Sequence, residues 1–263
     1  MAKNILKEIA ATKRREVEAM KMVIPTGLMT DMAKNCSRIP LDMAKGIQEH
    51  HPAIIAEHKR RSPSKGEISP MSDVAEIARM YASGGAAAMS VLTDTPYFGG
   101  SLEDLAVARM AAPALPLLRK EFIVDEYQIM QARVYGADAI LLIAAMIPAE
   151  DVKRFNKVAH SLGMQTLVEI HSEEELAALP EDADMVGVNN RDLTSFSTDI
   201  GNALRLIEAL PDGIIRIAES GIKTPGDMQR LVSVGFDGFL IGEALMSASS
   251  PGEPLSRFLS YKP

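Results

Sequence analysis

The sequence is poor in cysteine and in long hydrophobic runs, and both shortages exclude classes of protein. Cys36 is the only cysteine among 263 residues, so no disulfide forms within the chain and a reducing compartment is expected. No stretch approaches the ~18 uninterrupted apolar residues that a membrane span needs. The N-terminal segment MAKNILKEIAATKRREVEAMK is a charged amphipathic pattern without the apolar run of a signal peptide. We therefore expect a cytoplasmic protein with no membrane partner.

Basic side chains are outnumbered by acidic ones, 28 against 35. The formal net charge of -7 argues against nonspecific binding of nucleic acid. A Gly-x-Gly-x-x-Gly pattern is absent after the first apolar run, and no His, Cys or Asp residues show the spacing of metal ligands. A local cluster of basic residues within 59–65 suits a small anionic ligand better than a polymer.

What the chain does contain is one plan, repeated from residue 53 onward: an apolar run, a polar residue, a loop and a helical pattern. Helical patterns close with glycine at Gly84, Gly136, Gly163 and Gly235. Such alternation predicts a parallel sheet buried on both faces, here a (β/α)8 TIM barrel, with an open doubly wound sheet as the alternative. The runs cover 53–59, 86–94, 115–122, 138–146, 165–171, 184–190, 213–221 and 237–245.

Domain boundaries are not visible inside the repeat, because no Pro-, Gly- or Ser-rich linker interrupts it. We expect a single barrel domain over residues 1–263. Residues 1–50 precede the first strand and form an N-terminal helical extension, broken at Pro25 and Pro40.

Polar residues at the ends of the runs should meet at one mouth, because the C-terminal ends of barrel strands converge. Lysines and carboxylates gathered there suit proton transfer to and from a charged substrate. The candidate positions are Glu57, Lys59, Thr93, Asp94, Arg119, Lys120, Glu121, Glu169, Asn189, Asn190, Arg191, Glu219, Ser220 and Glu243.

Strand alternation separates some of these candidates from purely structural roles. Glu57 and Lys59 share a face, although they could form an ordinary surface ion pair, and His58 should face the helices. Asp94 could cap the following turn, and Glu169 could be a strand-end charge before the capping pattern Ser172-x-x-Glu175. Arg119 and Glu121 alternate away from Lys120 and would form ion pairs in the helix layer or in the loop.

Glycines follow the seventh and eighth runs directly. Gly221 and Gly242 lie where barrels often bind phosphate through backbone N–H groups, although both could be simple tight turns. Lys59 could supply a compensating cation, because the first strand should close against the eighth.

Several long segments resemble the indole-3-glycerol-phosphate synthase family of tryptophan biosynthesis. They are IIAEHKRRSPSKG, SVLTDTPYFGGS, LLRKEFIVDEYQI, ADAILLIAA, LVEIHSEEEL, VGVNNRDL, AESGI and FLIGEAL, in order over most of residues 54–246. The resemblance implies a lyase whose small phosphorylated substrate is 1-(2-carboxyphenylamino)-1-deoxyribulose 5-phosphate. That substrate closes a ring and loses CO2 and water, giving indole-3-glycerol phosphate without metal or organic cofactor.

Roles for single residues follow from the same resemblance. Lys120 matches the general acid and Glu169 the base, while some schemes give Lys59 the acid role, so the choice between the two lysines stays open. Glu57, Asn189 and Glu219 resemble groups that orient the lysines or position the substrate. The substrate pocket would also include Ser62, Phe98, Arg191 and Ser220, and the phosphate site Lys59, Gly221, Gly242 and the amide of Glu243.

Rival interpretations predict different residues. Phosphoribosylanthranilate isomerase would need a cysteine at a strand end, and a noncatalytic phosphosugar-binding barrel should lack Lys120 or Glu169. A fusion fragment fits less well than a monofunctional enzyme, because the chain stops at Pro263 soon after the last helix. We expect a monomer that associates loosely, if at all, with other tryptophan-pathway enzymes. His58 departs from the family, which usually has an aliphatic or aromatic residue there.

Overall fold

A closed barrel of eight parallel strands forms the centre of the molecule. The computed structural model describes residues 5–192 and 197–260, so Leu193 of VGVNNRDL and the terminal Pro263 lie outside it. The first barrel strand, Ala53–His58, pairs with the last, Gly238–Ile241, on one side and with the second, Ala88–Leu92, on the other, which closes the barrel. The (β/α)8 fold is therefore confirmed and the open sheet is excluded.

The strands are shorter than the apolar runs that predicted them. The barrel strands are β1 (Ala53–His58), β4 (Ala88–Leu92), β5 (Leu117–Lys120), β6 (Ala139–Ile143), β7 (Gln165–Ile170), β8 (Met185–Asn189), β9 (Ile215–Glu219) and β10 (Gly238–Ile241). A small antiparallel hairpin, β2 (Arg61–Ser62) with β3 (Gly66–Glu67), lies in the loop after β1.

Helices surround the barrel and precede it. They are α1 (Ile5–Val23), α2 (Thr26–Lys34), α3 (Met43–Glu49), α4 (Val74–Ser83), α5 (Thr95–Phe98), α6 (Leu102–Ala111), α7 (Glu126–Val134), α8 (Ala149–Ser161), α9 (Gly201–Leu206), α10 (Pro225–Ser233), α11 (Glu243–Met246) and α12 (Gly252–Ser260). Short 3-10 turns cover Glu173–Ala178 and Ile207–Ala209.

Side-chain caps explain where several of these helices begin. Asp125 with Gln128, and Thr224 with Asp227, form capping boxes at the starts of α7 and α10. At the helix ends, Gly136, Gly163 and Gly235 adopt the positive φ expected of them, but after α4 that conformation belongs to Gly85 and not to Gly84.

The N-terminal extension is helical and broken at Pro25, as predicted. Helices α1 and α2 pack on α7, where Val17, Met29 and Tyr127 form a small apolar cluster. The Tyr127 hydroxyl donates to the carbonyl oxygens of Met20 and Ile24, at 3.3 and 3.0 Å. These contacts hold the extension against the barrel wall.

Two apolar layers are separated by the sheet. The outer layer fills the space between strands and helices. The inner layer, which we call the floor, fills the barrel beneath its C-terminal mouth and includes Met43 and Ile47 of α3 together with Ile55, Leu118 and Ile217. Because the floor is filled by apolar side chains, access to the polar strand ends is from the mouth.

Candidate active site

A cavity of about 300 Å³ opens at the C-terminal mouth of the barrel. All the residues that sequence analysis singled out for catalysis, substrate binding and phosphate binding line it. They are Glu57, Lys59, Ser62, Phe98, Lys120, Glu169, Asn189, Arg191, Glu219, Ser220, Gly221, Gly242 and Glu243. The structure thus brings together side chains that come from seven of the eight strand ends or from the loops that follow them.

The two charges of the first strand point into this cavity as a close pair. Lys59 Nζ lies 2.7 Å from Glu57 Oε1, and the side chains are 12% and 5% exposed. His58 between them faces the opposite way, where its Nε2 lies 2.9 Å from Ser72 Oγ. The alternation predicted from the sequence therefore holds, and the pair is not on an exposed edge strand.

Lys120 lies between two buried carboxylates at the centre of the mouth. Its Nζ donates to Glu169 Oε2 at 2.9 Å and to Glu219 Oε2 at 2.6 Å. The three side chains come from β5, β7 and β9, whose ends the barrel closure brings together. The arrangement places an ammonium proton donor in direct contact with a carboxylate proton acceptor.

Burial and neighbouring charge move the pKa values of this group in different directions. Burial alone would lower the pKa of Lys120, but Glu169, Glu219 and Glu57 outweigh it and raise that pKa. Burial would raise the pKa of Glu169, but Lys120 and then His171 lower it. Burial raises the pKa of Glu219 to about 7 against the opposing effect of Lys120. Lys120 is thus held as the ammonium and Glu169 as the carboxylate.

Two glycines make room for the carboxylates of the mouth. An added Cβ at Gly187 would overlap Glu219 Oε1, and one at Gly242 would overlap Glu57 Oε1. Sequence analysis placed Gly242 at the phosphate site and did not consider Gly187. The structure shows a role in seating a carboxylate for each.

The turn after β9 has an unusual backbone. Ser220 is the only described non-glycine residue with positive φ, at 64°, and Gly221 follows at 74°. Two successive residues in the left-handed region turn the chain sharply at the cavity wall. Asn190 supports this turn, because its Nδ2 donates to the Ser220 carbonyl oxygen at 3.2 Å.

The loop between β1 and α4 extends across one side of the mouth. Lys65 Nζ lies 3.1 Å from Glu243 Oε1, and Arg191 donates to Ser64 Oγ at 3.2 Å. Glu243 is not a strand-end residue as expected, because β10 stops at Ile241 and Glu243 begins α11. The final apolar run thus covers a strand and the helix after it, which apolar character alone does not separate.

Arg119 and Glu121 pair with each other and not with Lys120, as alternation predicted, although Glu121 also lines the cavity. Arg119 Nη2 is 3.6 Å from Glu121 Oε2, and Glu121 Oε2 also accepts from Thr93 Oγ1 at 2.8 Å. Asp94 caps α5, accepting from the backbone N–H groups of Tyr97 and Phe98 at 2.7 and 3.1 Å. Its structural interpretation is therefore confirmed.

Helix α1 contributes to the site in a way that was not predicted from the sequence. Ile5, Leu6 and Ile9 form part of the cavity wall, and Lys13 on the same helix is 3% exposed. Lys13 Nζ lies 2.6 Å from an Asp94 carboxylate oxygen and 3.3 Å from Glu121. A lysine inside the apolar stripe of an amphipathic helix is the signal that could have revealed this buried ion pair.

Other missed residues are apolar members of the cavity wall. Phe122 follows Lys120 and Glu121 on the chain, and its ring centroid lies 5.9 Å from that of Phe98. Leu92, Leu141, Ile143 and Leu240 also line the cavity. An apolar wall beside the charged group suits a substrate that carries an aromatic ring as well as anionic groups.

The position of the cysteine, the arrangement of possible metal ligands and the lengths of the helices bear on other classes of protein. Cys36 lies away from the mouth, with Sγ 3.9 Å from the Arg133 carbonyl oxygen. Among residues 5–192 and 197–260, no group of His, Cys, Asp and Glu side chains is arranged to hold a metal ion. No helix in the described part of the chain is long and apolar enough to span a membrane.

Comparison with known proteins identifies the family. A sequence model described as indole-3-glycerol phosphate synthase matches residues 6–258. The chain belongs to the indole-3-glycerol phosphate synthase family. An indole-3-glycerol phosphate synthase from Bacteroides thetaiotaomicron is 44% identical over 98% of both chains, and one from Neisseria meningitidis serogroup B is 46% identical over 93% of this chain and 95% of its own.

Two further similarities concern a larger protein and the fold. A multifunctional tryptophan biosynthesis protein from Phycomyces blakesleeanus is 44% identical over 98% of this chain, which covers 35% of that protein. The 3-hexulose-6-phosphate synthase from Salmonella typhimurium has a TM-score of 0.62 at 13% identity, covering 78% of this chain and 96% of its own. Thiamine phosphate pyrophosphorylase from Pyrococcus furiosus has a TM-score of 0.58 at 16% identity, covering 82% and 96%. At such low identity, these two structures support the barrel fold alone.

Proposed function

We propose that this member of the family is a carboxy-lyase that converts 1-(2-carboxyphenylamino)-1-deoxyribulose 5-phosphate to indole-3-glycerol phosphate, CO2 and water. The observation that carries the proposal is the contact between Lys120 and Glu169 inside a cavity that also has an aromatic wall. Ring closure, loss of CO2 and dehydration are redox-neutral, so acid and base groups are sufficient for the proton transfers.

Lys120 is the proposed general acid of ring closure. The ketone oxygen gains negative charge as the aromatic carbon attacks, and the Lys120 ammonium donates a proton to it. Burial lowers and three carboxylates raise the pKa of Lys120, so the proton is in place before the substrate reacts. Donation then accompanies the charge that develops on the oxygen in the transition state.

Glu169 is the proposed base of dehydration, which removes a proton as the ring hydroxyl leaves. Its pKa is lowered by Lys120 and His171 in spite of burial, which keeps the carboxylate ready to accept a proton. Asn189, which lines the cavity beside it, helps to orient the carboxylate in this proposal. Glu219 holds Lys120 from the other side.

The remaining site residues bind the substrate in this proposal. Lys59, oriented by Glu57, attracts the substrate's carboxylate and phosphate. The N–H groups of Gly221, Gly242 and Glu243 receive the phosphate, and Phe98 faces the anthranilate ring. Ser62, Arg191 and Ser220 complete the pocket between these two ends.

The organisation of the chain is proposed in the same terms. We expect residues 1–263 to fold as a single barrel domain with residues 1–50 as its helical extension, and to work as a monomer in the cytoplasm. The multifunctional relative from Phycomyces supports loose association with other tryptophan-pathway enzymes. Light scattering of the purified protein, alone and mixed with those enzymes, measures whether it is a monomer and whether it associates with them.

A fluorescence assay for indole-3-glycerol phosphate tests the proposed reaction. The wild-type protein should produce it from the carboxyphenylamino substrate, and Glu169→Gln should lower kcat by about 10²-fold or more, the scale of lost acid–base catalysis. Glu150→Gln, on the outer surface of α8, is the matched control and should retain full turnover. A wild-type protein that forms no product would overturn the proposal.

A further inference from the structure

A largely buried histidine, His171, lies beside Glu169 and takes no direct part in the proposed proton transfers. His171 is two residues beyond Glu169, just past the end of β7, and its side chain is 13% exposed. It does not line the cavity. Any influence that it has on the chemistry must therefore act through a neighbouring side chain.

Each nitrogen of the His171 ring faces a carboxylate. Nε2 lies 3.5 Å from Glu169 Oε1, and Nδ1 lies 3.7 Å from Glu175 Oε2. Neither nitrogen has a closer hydrogen-bond partner among the described residues. A neutral imidazole carries one N–H and would direct a lone pair at one of these carboxylates, whereas the imidazolium offers an N–H to both.

The surroundings of the ring favour that charged form. Burial opposes it, but Glu175, Glu169 and Glu219 outweigh burial and raise the pKa of His171. These carboxylates come from the 3-10 turn, from β7 and from β9, and Lys120 is the facing cation beyond Glu169.

The backbone fixes the ring between its two partners. Glu175 Oε2 also accepts from the backbone N–H of His171 at 2.8 Å, and Asn202 Nδ2 donates to its carbonyl oxygen at 3.1 Å. The predicted cap at Ser172 is wrong, because Ser172 makes no side-chain cap to the 3-10 turn. Glu175 anchors His171 instead.

We propose that the His171 imidazolium, held by Glu175, is a positioning residue that keeps Glu169 ionised and correctly oriented as the proton acceptor. Glu169 then has a cation on each side, with Lys120 on the cavity side and His171 behind. This inference rests on the proposed role of Glu169. It also gives a role to Glu175, which does not line the cavity and acts on Glu169 only through the His171 ring.

The pH profile of turnover gives the first test. His171→Asn should lower kcat about tenfold with little change in KM, and should move the acidic limb of the kcat/KM profile upward by about one pH unit, because Glu169 loses a cation. His160→Asn is the matched control, since His160 also lies between two carboxylates, at 2.8 Å from Asp184 and 3.4 Å from Asp182, but away from the cavity. A His171→Asn profile that superposes on that of the wild type would overturn the proposal.

An NMR titration of the histidine rings gives a second test that does not depend on activity. The His171 signal, assigned by its loss in His171→Asn, should titrate above the ordinary imidazole value. In Glu175→Gln it should titrate at lower pH, although the amide oxygen can still accept the backbone N–H. A ring that titrates at its ordinary value in the wild type would contradict the inference, even if the proposed reaction is correct. If the wild type shows no turnover but His171 still titrates above the ordinary imidazole value, only the proposed reaction would be contradicted.

Discussion

The mouth and the floor of the barrel are lined by side chains of the same strands, but different interactions stabilise them: paired charges in the mouth and apolar packing in the floor. In the mouth, the Lys120 ammonium is buried against two carboxyl groups, of Glu169 and Glu219, and Glu169 is its ionised partner. In the floor, Ile55, Leu118 and Ile217 are 0% exposed and pack against other apolar side chains. Burial of charge costs free energy unless it is paired, whereas apolar burial is favourable by itself.

Strand β5 shows the contrast within a few residues, because Leu118 and Lys120 both point inward. Leu118 belongs to the floor and Lys120 to the mouth. The floor therefore stabilises the fold. That stability offsets the cost of burying charged groups in a reactive arrangement in the mouth. Substitutions that are chemically similar should have different consequences in the two regions.

Truncation of Lys120 or of Leu118 should give the largest effects and tests this contrast most strongly. Lys120→Ala should lower kcat by about 10²-fold or more, as expected for loss of a general acid. Leu118→Ala should lower the free energy of unfolding by about 2–5 kcal/mol through the cavity it creates, with kcat near the wild-type value. Product fluorescence and urea denaturation measure the two effects. Near-normal turnover in Lys120→Ala would remove that residue from the proposed mechanism.

An added methyl group separates the regions with a milder change. Gly187→Ala should push Glu219 from Lys120 and lower kcat by roughly tenfold, equivalent to about 1.4 kcal/mol. Gly238→Ala places its Cβ 2.7 Å from Ile217 Cδ1 in the floor and should cost about 1–3 kcal/mol of stability without loss of turnover. If both variants lost only stability, Gly187 would have no special part in holding the carboxylate.

Ligand binding should affect the mouth and leave the floor unchanged. We predict that amides of the β2–β3 hairpin exchange more slowly when a substrate analogue binds, because Ser64 and Lys65 contact residues of the cavity wall. Amides of α3, which packs into the floor, are the internal control. Hydrogen exchange followed by mass spectrometry makes the comparison. Equal exchange rates in the hairpin with and without ligand would argue against closure of the hairpin over the bound ligand.

The outer face of β1 should affect stability only, and only in acid. Burial lowers the pKa of His58 to about 4, so between about 6.5 and 4 the unfolded chain binds a proton that the folded chain does not. This contribution is complete above the unfolded pKa and is lost as pH falls, by up to about 1.4 kcal/mol per pH unit. His58→Phe should flatten the slope of stability against pH while leaving turnover at neutral pH unchanged. Denaturation at several pH values would reveal an unchanged slope if His58 were not responsible.

Sequence patterns were sufficient for the main elements of the mouth. Alternation along β1 placed Glu57 and Lys59 together and turned His58 outward, because a strand's period of two depends only on the local backbone. Convergence of strand ends then followed from the barrel itself. The start of α11 at Glu243 was missed, since an apolar run has no marker at the point where a strand becomes a helix.

Contacts between distant segments could not be predicted in this way. Lys13 contacts Asp94 and Glu121 only because α1 packs at the mouth. The periodicity of α1 describes its own faces and cannot predict which distant residues it contacts. The same holds for His171, which is an ordinary strand-end residue in the sequence. Its position between Glu169 and Glu175 depends on how the chain turns after β7.

The sequence by itself determined the repeated strand–helix plan and the identity of the polar residues at its strand ends, whereas closure into a barrel was settled by the strand pairing. Periodicity and the chemistry of single side chains are local properties, so a linear reading is enough for them. The tertiary structure decided which carboxylate contacts which lysine, and which pKa values rise or fall. Those properties depend on distance and burial, which are fixed only when all eight strands close together.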